Sequence, residues 1–98
     1  MNLLENRYRR SENVIFRKVA DETILVPIKG NVADLNFIYT LTKVAAFIWG
    51  KIDGRRKLID IKETIMAEYD VSSDDAEKDL LELIGQLEQI GSISKDNR

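Results

Sequence analysis

The 98-residue chain contains no cysteine, no histidine and a single proline. The missing thiols exclude disulfides, thiolate nucleophiles and the usual structural zinc sites, while leaving the redox compartment unassigned. The missing imidazoles remove the side chain most used for proton transfer near neutral pH and for transition-metal binding. No segment approaches the roughly 20 apolar residues that span a bilayer, and the first ten residues lack the apolar run of a signal peptide. These absences predict a cytoplasmic protein with no membrane segment, no cofactor and no metal. They favour a protein that holds a partner over one that transforms a substrate.

What is present makes one domain, long enough to bury roughly 65% of the surface of its unfolded chain without covalent staples. The net charge of -2 is unevenly spread. Arg7, Arg9, Arg10, Arg17 and Lys18 face Glu5 and Glu12 in the first twenty residues, whereas Asp74, Asp75, Glu77, Asp79, Glu82 and Glu88 face only Lys78 later on. A phosphate backbone is a poor partner for that second segment.

Residues 1–12 are polar and show no period, so they predict a flexible arm with Leu3, Leu4 and Tyr8 as anchors. Val14–Val19 and Thr23–Ile28 are β-branched and aromatic runs separated by Ala20, Asp21 and Glu22, which predicts a hairpin. Pro27 belongs near the end of its strand or at a bulge, because it cannot donate to a ladder. After a turn over Lys29, Gly30 and Asn31, Asp34–Leu41 alternates and predicts a third strand, with Leu35, Phe37, Tyr39 and Leu41 on one face. Thr42 caps a first helix whose apolar positions Ala45, Ile48, Trp49 and Ile52 recur at three and four residues, with Asp53-Gly54 as its stop. Arg55, Arg56 and Lys57 form an exposed connection to a second helix over Leu58–Tyr69. Ser72 with Asp75, or Ser73, caps a third helix with the buried stripe Ala76, Leu80, Leu83, Ile84, Leu87 and Ile90. Leu81 falls outside that stripe, with Gly85 beside it one turn on. The order is three strands and then three helices, an α+β class.

That order, together with Ile38-Tyr39-x-Leu41-Thr42, Ala45-Ala-Phe-Ile-Trp49, Ile52-Asp-Gly54, Ile61, Tyr69-Asp-Val71, Ala76-x-x-Asp79-Leu80, Leu83, Leu87 and Ile90-Gly-Ser-Ile93, resembles the PqqD family. These are small peptide chaperones of pyrroloquinoline quinone synthesis and relatives of the precursor-recognition elements of RiPP biosynthesis. The resemblance covers residues 14 to 94 and implies a winged-helix-like domain over 13–94, with a tail at 95–98. It also implies that the leader of a ribosomally made precursor adds as a strand along the third strand, in the groove beside the third helix, and that a modifying enzyme, often a radical SAM enzyme, docks nearby. Thr42 stands where the family commonly has Asn and retains capping. Gly85 stands where a larger residue is expected, at a cost of about 1 kcal/mol in helix propensity.

Mapped onto this chain, the implied peptide site comprises Asn36, Phe37, Ile38, Tyr39 and Thr40 on the strand and Glu77, Leu81, Ile84, Gly85 and Glu88 on the helix. Main-chain pairing supplies affinity, and the side chains add a preference for an apolar leader with basic residues nearby. Lys51, Arg55, Arg56 and Lys57 are a solvated turn, or the docking patch for an enzyme with an acidic surface. Three other functions compete. A winged-helix DNA-binding regulator would bring six carboxylates toward the major groove, against the phosphates. An enzyme lacks any nucleophile with a neighbouring base in a recognisable motif. A homodimer through the strand edges would conceal the groove.

Overall fold

The computed structural model describes residues 3–29, 32–33 and 38–96. After a 3-10 turn at Leu3–Glu5 come β1 (Arg7–Arg10), β2 (Val14–Val19), β3 (Glu22–Lys29), β4 (Val32–Ala33) and β5 (Tyr39–Leu41). Helix α1 (Lys43–Lys51), β6 (Asp53–Lys57), α2 (Leu58–Glu68), α3 (Ser73–Gln89) and β7 (Ile93–Asp96) follow. The α+β class stands, but the strands make two antiparallel sheets rather than one. The first has the order β6-β1-β7; in the second, β2 pairs with one edge of β3 while β4 and β5 share the other.

The N-terminal segment is a structural strand, not a flexible arm. β1 is the centre of its sheet, with Tyr8 opposite Lys95 of β7 and Arg9 opposite Asp53 of β6. Leu4 and Tyr8 are buried in the common core, so apolar burial fixes a segment whose polar sequence shows no period. Burial and the neighbouring Glu88 carboxylate both push the Tyr8 phenol pKa up from its usual value. The expected C-terminal tail likewise begins inside β7.

The hairpin forms as expected, in the register Val19–Glu22 to Val14–Pro27. Ile28 N–H donates to the Asn13 carbonyl on the β2 side. The preceding residue, Pro27, therefore has its missing donor on the opposite edge, between the Leu25–Tyr39 and Ile28–Ala33 pairs. The hairpin turn places Ala20 at φ 55, a left-handed conformation that costs an alanine about 1 kcal/mol. Ala20→Gly should accordingly raise stability by about 0.5–1 kcal/mol, and Tm by roughly 2–8 °C in a differential scan.

Thr42 caps α1 as expected, its Oγ1 accepting from Ala45 N–H at 3.1 Å. The stop is different. The cap residue at the end of α1 is Ile52, and Asp53-Gly54 opens β6. Gly54, at φ 80, occupies the irregular step between the Arg9–Asp53 and Arg7–Lys57 pairs, where an added Cβ would lie 3.2 Å from an Asp96 carboxylate oxygen. Arg55, Arg56 and Lys57 are thus strand residues, although Arg55 and Arg56 remain exposed. In α2, Leu58, Ile61 and Ile65 are buried, while Met66 is exposed.

Ser72 caps α3 through its Oγ, which accepts from Asp75 N–H at 3.2 Å. The stripe Ala76, Leu80, Leu83, Ile84 and Leu87 is buried. At the other end Gly91 adopts φ 73, its N–H donating to the Glu88 carbonyl and Ser92 N–H donating to that of Leu87, each at 3.0 Å. This pattern satisfies the last carbonyls of the helix. Ser11 N–H then donates to the Ser92 carbonyl at 2.8 Å, anchoring the end of β1 to the end of α3.

Candidate functional site

Thr40 and Leu41 alternate across β5. Leu41 is buried and Thr40 is exposed, because β5 pairs with β3 through Thr23–Leu41, Ile24–Thr40 and Leu25–Tyr39. Among the described residues, its outer edge has no partner strand. Beyond that edge lies a cavity of about 530 Å³ lined by residues of β5, α1 and α3. Val44, Ala45, Ile48 and Leu83 form its apolar part; Thr40, Thr42, Asp79, Glu82 and Gln86 form its polar rim. Ala45, Ile48 and Leu83 belong to the buried core, whereas Val44 is 37% exposed and so presents an apolar surface to whatever enters. Tyr39 Oη hydrogen-bonds the Gln86 side-chain oxygen, joining strand wall to helix wall.

The structure brings Tyr39 and Thr40 to this cavity. Ile38 precedes β5 with 47% of its surface exposed, outside the lining, and Asn36 and Phe37 lie outside the described residues. None of the helix residues expected at the site lines this cavity. Glu77 accepts from the Lys62 ammonium of α2 at 3.0 Å, and Glu88 accepts from Tyr8 Oη of β1 at 3.4 Å. Ile84 is buried, Leu81 packs half-buried against the core, and a Cβ on Gly85 would meet nothing within 4 Å. At about 100° per residue, the buried stripe of α3 has two flanks, and the groove uses the flank of Asp79, Glu82 and Gln86. Glu77, Leu81, Gly85 and Glu88 lie on the opposite one.

One signal in the sequence distinguishes the flanks. Lys62 sits between Ile61 and Ile65 on the buried side of α2, where a cation needs a carboxylate partner. Glu77 answers that need, which turns its flank toward α2 and leaves the other to β5.

Of the residues expected at a docking patch, Arg55, Arg56 and Lys57 lie on β6, away from this groove. Lys51 stands over the Phe47 ring, 5.0 Å from its centroid. The groove holds no histidine or cysteine, and no group of three potential metal ligands occurs among the described residues. Nor is any described helix long and apolar enough to cross a membrane. What the arrangement offers is an open strand edge, an aliphatic floor and two carboxylates at the rim.

The family described as Coenzyme PQQ synthesis protein D (PqqD) matches residues 22–93. No curated protein sequence matches significantly. Two solved structures share the fold. One is TbiB1 in complex with the TbiA(beta) leader peptide, with TM-score 0.72, 22% identity, and coverage of 88% of this chain and 94% of that one. The other is a lasso peptide synthetase B1 complexed with its leader peptide, with TM-score 0.74, 19% identity, and coverage of 90% and 98%.

Proposed function

Because the chain belongs to the PqqD family, we propose that it is a noncatalytic module that captures the leader of a ribosomally made precursor peptide and presents it to a modifying enzyme. The observation that carries the reading is the unpaired outer edge of β5 beside a partly apolar groove. Both structural neighbours were solved with a leader peptide bound, which supports the same reading. An extended guest satisfies the free N–H and C=O groups of the edge, and its side chains read the groove. The outer edge of β2 is a poorer host, since β2 carries Arg17 and Lys18 and lines no part of this groove.

The groove defines the guest. Val44, Ala45, Ile48 and Leu83 receive an aliphatic or aromatic anchor, and Asp79 and Glu82 receive a neighbouring Lys or Arg. Both carboxylates are exposed, so their contribution is modest and screened by salt. Glu77 and Glu88, already engaged by Lys62 and Tyr8, have a lesser part. Reversing both rim charges, Asp79→Lys with Glu82→Lys, should weaken a basic leader about tenfold at low salt and flatten the salt dependence of binding. Isothermal titration at two ionic strengths measures both; an unchanged salt slope removes the charge preference but not the strand addition. Holding leader and enzyme together raises the local concentration of the core peptide at the enzyme, which is the gain such a module provides. A radical SAM enzyme is the partner expected from the family, and co-purification with the enzyme encoded beside the precursor tests that assignment.

A further inference from the structure

Beyond the Leu41 end of β5 lies a second cavity, of about 380 Å³, between the hairpin and the first turn of α1. Thr42 lines both this cavity and the leader groove, so a guest strand on the outer edge of β5 that continues past Leu41 comes to its mouth. Lys18 of β2 and Lys43 of α1 stand on its walls, and neither makes an ion pair among the described residues. The helix itself opens here. Thr42 Oγ1 accepts from Ala45 N–H and the Thr42 carbonyl from Ala46 N–H, which leaves the Lys43 and Val44 N–H groups with no acceptor among the described residues.

Two surface lysines and a helix N-terminus are ordinary features that water satisfies. Thr23 is different. It is only 8% exposed, it lines the same cavity, and its hydroxyl makes no hydrogen bond to any described residue. Its cross-strand partners are Lys18 and Leu41, so strand alternation turns all three side chains to the face that α1 covers. A buried hydroxyl without a partner costs stability that a valine there would not. The lining holds one carboxylate, Asp21 on the hairpin turn, which pairs with neither lysine and leaves the seat with a surplus of positive charge.

We infer that this cavity is an acid-selective subsite of the leader groove, which receives an Asp or Glu side chain of the guest just beyond the segment paired with β5. The inference rests on the leader reading and adds to it a charge at a fixed place. Lys18 and Lys43 supply the opposite charge, the Lys43 and Val44 amides donate from the positive end of the helix dipole, and the Thr23 hydroxyl donates a further contact. With Asp79 and Glu82 on the groove rim, the guest carries a basic residue beside its apolar anchor and an acidic one past the Leu41 end. A general attraction for acids is not the cause, since the chain has a net charge of -2.

The test is selection of peptides from a displayed random library on the full chain and on the double variant Lys18→Gln with Lys43→Gln, both at exposed positions. Wild type should enrich peptides with an apolar anchor and an acid at one fixed offset from it, whereas the double variant should keep the anchor and lose the acid. A peptide selected on wild type should bind the double variant about tenfold more weakly, while its carboxamide form should bind both proteins alike, the signature of a direct contact. Thr23→Val should melt no lower than wild type, because the hydroxyl it removes has no partner, yet bind the acidic peptide about threefold more weakly. Anchored peptides with no acid at a fixed offset, or a double variant that discriminates the two peptide forms as wild type does, would overturn the subsite and leave the leader reading standing. Selection on wild type that yields no peptide sensitive to Val44→Arg would remove the leader reading and the subsite with it.

Discussion

A chain shortened to begin at Ser11 should lose its cooperative thermal transition. The deletion removes Leu4 and Tyr8, 7% and 6% exposed, from the shared core, and leaves β6 and β7 with no strand between them. Burial of two such side chains contributes about 3–6 kcal/mol, before the lost ladder hydrogen bonds are counted. Total stability in small domains is about 5–15 kcal/mol, so little or none would remain. The point variant Tyr8→Ala should give a graded version, about 3 kcal/mol, while Arg9→Gln on the exposed face should stay within about 0.5 kcal/mol of wild type. Circular dichroism melts of the three proteins provide the comparison. A truncated protein that melts cooperatively near the wild-type temperature would mean that the first ten residues are an accessory arm.

The second large effect concerns binding without folding. Val44→Arg places a long cation at a position that is 37% exposed, so the fold should tolerate it, and arginine is at least as good a helix former as valine. In the groove the new side chain reaches Asp79 and Glu82 and covers the aliphatic floor, competing with both features proposed to hold the leader. Leader affinity should fall by about ten- to a hundredfold, equivalent to 1.4–2.8 kcal/mol. Val71→Arg serves as the matched control: Val71 is equally exposed but lines no part of the groove, and its variant should bind as wild type. Peptides selected from a displayed random library, as well as a precursor leader, can be titrated against both variants. If the two bind alike, the groove is not the site.

The sequence made some of this architecture legible and hid the rest for physical reasons. Where apolar periodicity and capping chemistry act locally, the elements emerged: the hairpin, α1 with Thr42, α2, and α3 with Ser72 and its buried stripe. The sheet of β1, β6 and β7 did not emerge, because Arg-Tyr-Arg-Arg and Asp-Gly-Arg-Arg-Lys have little intrinsic strand preference and become strands by pairing with distant segments. Asp53-Gly54 resembles a helix stop, and only the pairing of Asp53 with Arg9 identifies it as the start of a strand. Of the residues expected at the site, Tyr39 and Thr40 line the cavity beside β5, whereas the helix residues expected there do not: the cavity is lined by the Asp79, Glu82 and Gln86 flank of α3. Leu81 drew that choice, since an apolar residue beside the core stripe suggests a ligand contact; it packs half-buried against the core instead. Periodicity defines a buried stripe without saying what lies to either side of it, and here the Lys62–Glu77 pair settles the direction.

Main-chain pairing at the open edge of β5 is the central claim, and backbone amide exchange with and without bound leader tests it most directly. Formation of a new ladder should slow exchange of the outward-facing amide or amides within Tyr39–Leu41, with the α3 surface around Asp79 to Gln86 responding in the same titration. Unchanged exchange along β5, with protection appearing on β2 or on the β6-β1-β7 sheet, would contradict the account.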